Sequence, residues 1–229
     1  GALAGLAVAG GLGSMAKGAI NAADEVEKLG RRTGQSAKMI SEMRFALSQN
    51  DATMSDYGNS LRNINKNTQN AVDGLKTQSR AFGKLGISVE EFAKLDSDQK
   101  FIQLSEAISK VKDPSIRTQV AMDIMGRAGE RLLPVMQDGA AGIAKYREQA
   151  VLLGQSLSQD QVDAAAKAND AIDKLTKSLS GSFSQAVVNN IGFIETFTEV
   201  LGNIDVIGIA MVEGLLVGFE HIKSAAKIA

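Results

Sequence analysis

Few residues in this chain could carry acid–base or nucleophilic chemistry. His221 is the only histidine, so a serine–histidine pair has one candidate base. It lies near the end of an apolar segment, where a helix-face or helix-end histidine is the plainer reading. Cysteine is absent, which removes thiolate metal sites and disulfides together. A metal would then need a carboxylate–oxygen site, and no DxDxDG-like loop supplies one. Glu90 and Glu91 stand together beside Ser88, at a helix start where acidic side chains complement the macrodipole. Capping explains them better than acid–base work. The run GGLGSMAKG, residues 10–18, has glycines and Lys17 but lacks the closing GKS or GKT and the preceding strand of a phosphate loop. GRAGER, residues 126–131, offers Arg127 and Arg131 as an anion nest, although a turn between helices explains it without a ligand. Arg31-Arg32 follows a helix C-terminus, where positive charge is favourable anyway. The expectation is a chain with no catalytic centre, no metal and no cofactor.

Composition points to the elements instead. The 229 residues are 44% hydrophobic but only 4% aromatic, without tryptophan, a mix that favours helices packed through small and aliphatic side chains. Two prolines fit a mostly helical chain, because proline interrupts helix interiors. Twenty-three glycines weaken helices by about 1 kcal/mol each relative to alanine, so the helices must be many and several short. The formal charge of −1 shows no global bias toward nucleic acid. Opening on Gly1 without a basic n-region, the chain reads as a segment of something longer.

Residues 1–13 are uncharged and small, and the uncharged stretch stops at Lys17, short of the roughly 18 residues a spanning helix needs. Met15, Ala19, Ala22, Val26 and Leu29 step by fours and threes and predict one helix face, ended by Gly30 and RRTG. Ser36 is placed to cap a second helix with Met39, Ile40, Met43 and Leu47. From Met54 to Phe82, positions 54, 57, 61, 64, 68, 71, 75, 78 and 82 follow a heptad seam. Thr68 and Gln78 are polar on that seam, so a helix packed within a bundle competes with a coiled coil. Short capped helices follow. Ser88 with Glu91 forms a capping box, Ser97 or Asp98 caps the next helix, and Asp113-Pro114 opens another that carries Ile116, Val120, Ile124 and Met125. Pro134 limits helix length, a helix covers about Ala140 to Leu153, and Ser158 with Gln161 opens a long one bearing Val162, Ala165, Ile172, Leu175 and Leu179. Breaks at Gly83, Gly86, Gly126, Gly129, Gly139, Gly142 and Gly154 predict a compact module. The expected division is an N-terminal helical segment 1–82, a compact short-helix module 83–157, and a C-terminal part 158–229. The fold class is all-α, with flanking helices of coiled-coil or bundle tendency.

From Phe183 onward the chain is apolar and punctuated by glycine. Gly214 and Gly218 have the spacing that lets helices approach closely. Gly208, Gly214, Leu215, Gly218 and Phe219 are therefore candidate helix–helix or membrane contacts. Asp205 and Glu213 interrupt the apolar run, at about 2.5–3.5 kcal/mol each in an isolated spanning helix. Packing against partner copies comes first, and a membrane-active, pore-forming helical protein is the alternative.

The ordered set FGKLGIS, then DPSIRTQVAMDIMGRAGERLLPVMQDGAAGI, then LLGQSLSQDQVDAAAKANDAIDKL resembles a module of tail tape measure proteins of long-tailed phages and prophages. The resemblance covers most of residues 14–180, more weakly upstream through AINAADEVEKLGRRTGQSAKMISEMRFALSQ. It implies a structural virion protein without enzymatic activity, lying in the tail-tube lumen, setting tail length and leaving ahead of the genome. Implied partners are parallel copies of itself, tail tube and distal tail proteins, tail assembly chaperones and the host membrane, with no sequence-specific nucleic acid. The implied location is the phage tail, after assembly in the host cytoplasm. The hydrolase domains of some family members have no counterpart here.

Overall fold

The expectation of an all-α chain holds through residues 2–179, the part that the computed structural model describes, with side chains from 18 to 170. The described elements are α1 (Ala2–Thr33), α2 (Ala37–Ser48), α3 (Met54–Val72), α4 (Lys76–Lys84), α5 (Val89–Lys94), α6 (Ser97–Ser109), α7 (Pro114–Met125), α8 (Ala128–Leu132), α9 (Gly139–Leu152) and α10 (Gln159–Leu179). A compact unit spans Lys28–Ser158, and the described residues on either side fall outside it. The sequence reading began its module at residue 83; the observed unit also takes in α2 and α3, because these pack on the later helices.

α3 is the central helix of that unit, touching α4, α5, α6, α7 and α8, while α9 packs on α2 and α6. Tyr57, Leu61, Ile64 and Ala71 line its buried side. Tyr57 meets Phe101 of α6 edge-on, with ring centroids 5.0 Å apart, and Phe82 meets Phe92 at 5.1 Å. All four rings are fully buried, each worth about 1.5–3 kcal/mol of burial. Outside the unit, α1 buries Ile20, Ala23 and Val26, and α10 buries Val162, Ala165 and Ala168.

The heptad helix expected over 54–82 is two helices. Gly74 adopts φ +81°, and its amide and that of Leu75 return to the Ala71 and Asn70 carbonyls at 3.0 and 2.9 Å. This paired closure ends a helix at a left-handed glycine. The seam is buried from Tyr57 to Ala71, then Leu75 emerges 47% exposed. α3 thus buries its stripe against its own chain, and Thr68 satisfies its hydroxyl on the Ile64 carbonyl at 2.6 Å.

Other helix ends show where the reading holds and where it shifts. Ser36 caps α2, and Asp113 caps α7 with proline in the first turn. Ser88 accepts the Glu91 amide, but the Glu91 carboxylate pairs with Lys94 instead of closing the box. α6 is capped by Asp96 with Gln99, not by Ser97 or Asp98. Those two are engaged elsewhere: Ser97 donates to the Thr33 carbonyl at 2.6 Å, and Asp98 accepts from the Ser36 amide and hydroxyl. Gly83, Gly129 and Gly142 lie inside α4, α8 and α9 and break nothing. α1 runs through Gly30 to Thr33, and its buried stripe is Ile20, Ala23, Val26 and Leu29, leaving Ala19 exposed. Alanine is too small to fix a helix face. Ile116 of α7 is likewise 41% exposed.

Gly126 ends α7 at φ 73°, ψ −172°, a region that is essentially glycine's alone, and a Cβ there would collide with Asn63. Gly74 has open space around it. Chemical denaturation should therefore separate the two alanine variants: about 1 kcal/mol lost for Gly74→Ala and about 3 kcal/mol or more for Gly126→Ala. The Ser60 hydroxyl is buried without a partner among the described residues. Ser60→Ala should leave stability unchanged or raise it by up to about 1 kcal/mol; a clear loss would mean the hydroxyl is bonded in solution.

Candidate functional site

The polar residues inside the Lys28–Ser158 unit are the natural place to look for chemistry, and α3 supplies most of them. Three asparagines project from it to the ends of other helices. Asn67 Nδ2 donates to the Asp123 and Ile124 carbonyls at 3.1 and 2.9 Å, and Asn63 Nδ2 to Met125 at 3.2 Å. Asn65 Nδ2 reaches the Thr33 carbonyl at 3.2 Å. The last four carbonyls of a helix have no partner within it, so these side chains close the C-termini of α7 and α1. The reading of the sequence missed this row. Its signal was GNSLRNINKNTQN, since asparagine lowers helix propensity and so many in one helix imply side chains bonded elsewhere.

Buried charge is handled the same way. Glu42 of α2 is 1% exposed; it pairs with Arg147 of α9 at 2.5 Å and accepts from the Ser156 hydroxyl at 2.8 Å. Beside it the Leu157 amide donates to Ser41 Oγ at 2.8 Å. Tyr57 donates to Gln35 Oε1 at 2.7 Å, and burial pushes its phenol far above the ordinary range, so it stays protonated. Asp56 closes a capping box with Thr53 and pairs with Arg131 at 3.0 Å. The Thr53 hydroxyl, helped by its amide and by Arg131, holds the Asp56 carboxyl below the usual range against the opposing effect of burial. Glu106 is lowered by Lys110 and by the Ala140 amide, which it accepts at 3.0 Å at the start of α9.

The sequence candidates fall into place around this network. Glu90 accepts from the Ser88 hydroxyl and Glu91 is paired with Lys94 at the start and end of α5. Arg131 of the supposed anion nest is taken by Asp56. The side chain of Lys17, and His221, Gly208, Gly214, Leu215, Gly218 and Phe219, lie outside the described residues. A groove of about 420 Å³ runs along Lys84, Ile87, Gln103, Glu106 and Lys110; its carboxylate is already held by Lys110 at 2.9 Å. Among the described residues no cluster of three or more potential metal ligands occurs, and no helix is long and apolar enough to cross a membrane. The arrangement braces helices and presents charged surface. No family model, curated protein or solved structure matches the chain.

Because Asp56 is more acidic folded than unfolded, its contribution is present above the unfolded pKa and lost as pH falls through the folded one. Stability should therefore drop below about pH 4, and in Asp56→Asn that part of the drop should vanish. Urea midpoints measured from pH 5 to pH 2 test this; parallel curves for the two proteins would exclude the linkage.

Proposed function

We propose that this chain is a folded segment of a phage tail tape measure protein, a structural component with no enzymatic role. The observation that carries the reading is the order and spacing of FGKLGIS, DPSIR, GRAGERLLP and LLGQSLS, which resembles that family. Physical support comes from the helices: α1 has 32 residues and α10 has 21. A helix converts residue number into length at about 1.5 Å per residue, which a ruler requires. The compact Lys28–Ser158 unit is then a folded stretch of the parent protein and not its repetitive ruler portion. Its partners are further copies of itself, tube and distal tail proteins, and chaperones before assembly, and its place is the tail lumen until ejection.

Mass spectrometry of purified virions tests this. Peptides from this chain should be found in the tail fraction in several copies and should be depleted after genome ejection. Their absence from virions would reject the reading. A parent chain supplying fewer than about one residue per 1.5 Å of tail would remove the ruler role specifically. The pore-forming alternative rests on residues 1–20 and 183–229, the second of these stretches lying outside the described part; leakage of liposomes by the chain without tail proteins would favour it.

A further inference from the structure

Charge in this chain is segregated although the total is near zero. The Lys28–Ser158 unit carries 19 basic and 14 acidic residues, an excess of five positive charges. Residues 1–27 and 159–229 carry 6 basic and 12 acidic, an excess of six negative charges. Within the unit, residues 57–89 account for four of the five: Arg62, Lys66, Lys76, Arg80 and Lys84 stand against Asp73 alone. All five cations are exposed. Among the described residues none of them has a carboxylate in ion-pair range; Arg62 bonds to Asn59 and Lys84 to Gln119.

Their placement is as telling as their number. Lys76, Arg80 and Lys84 are four apart on α4, which sets them on one face at about 6 Å per step. At the corner between the α3 and α4 cations lie Val72 and Leu75, 46% and 47% exposed. Apolar side chains bordered by charge have the anatomy of an interface, where the core gives contact area and the rim gives selectivity. Charge alone would not suffice, since an exposed pair is worth about 0–1 kcal/mol.

We propose that this α3–α4 surface docks the acidic face of α10 from a second copy of the chain. Asp160, Asp163 and Asp170 are exposed on α10, with Lys167 among them, while Val162, Ala165 and Ala168 are buried. The apolar side of α10 is therefore already covered and its carboxylates face outward. The complementarity lies within one sequence, and the acidic excess outside the unit opposes binding to phosphate, so a second copy fits better than nucleic acid. The contact is heterologous: each copy uses its basic face once and its acidic face once, so association runs head to tail. This inference stands on charge and exposure and does not require the tail-tube reading.

Sedimentation velocity on the full 229-residue chain tests it, with K76E/R80E/K84E as one variant and D160K/D163K/D170K as another. The wild type should self-associate at low salt and weaken as salt rises. Each variant alone should associate at least about tenfold more weakly. An equimolar mixture should recover a dimer, because one partner keeps the acidic face and the other the basic face. Should either variant lose helicity by circular dichroism, the glutamine or asparagine substitutions at the same positions take its place. A wild type that stays monomeric at low salt, variants that associate like wild type, or a mixture that fails to recover would each overturn the proposal. A wild type that is monomeric but binds duplex DNA through Lys76, Arg80 and Lys84 would assign the surface to phosphate instead.

Discussion

A short helix is mostly ends, and that constraint governs this structure. Each helix leaves four amides and four carbonyls without an internal partner, so α5 with 6 residues and α8 with 5 have almost no self-contained bonding. The Lys28–Ser158 unit meets the demand with side chains. Ser36, Thr53, Asp96, Asp113 and Glu106 take amides. Asn63, Asn65, Asn67, Ser97 and Arg117 take carbonyls. Buried polar groups left unmet would cost about 1–3 kcal/mol each, enough in a handful to exceed the stability of an ordinary domain. Many of the unit's polar side chains are thereby committed to backbone.

The core follows from the same arrangement. α3 sits at the centre because it offers two useful sides: Tyr57, Leu61 and Ile64 to the apolar interior, and the asparagine row to neighbouring helix ends. Apolar burial gives the unit its gross stability, while directional bonds from Asn67 and Gln35 decide which helix end goes where. A fold specified this way is well suited to holding its shape and offering an outer face.

Much of this was legible in the residues. All-α character, the caps at Ser36 and Asp113, and the burial of Met39, Ile40, Met43 and Leu47 all follow from local pattern, because capping and periodicity act within one or two turns. What escaped depended on distant partners. The 54–82 seam continues on paper through Gly74, yet nothing in a heptad count reports that Val72 and Leu75 meet solvent. Ser97 and Asp98 read as caps because they stand at a helix start; only tertiary contact with Thr33 and Ser36 shows that they tie two chain segments together. Gly129 reads as a hinge, but a Cβ there would fall 2.7 Å from the Ala121 carbonyl oxygen, so it permits close approach. α10 runs from Gln159 to Leu179, so it starts where a cap at Ser158 places it.

The carboxylate of Glu42 has a consequence for how the polypeptide is born. Its two partners, Arg147 and Ser156, come 105 and 114 residues later, so a ribosome exposes α2 long before anything exists to neutralise it. An isolated charge cannot be sealed into an apolar interior without a large penalty. The buried position of Glu42 therefore becomes favourable for a charged carboxylate only once Arg147 and Ser156 are in place beside it.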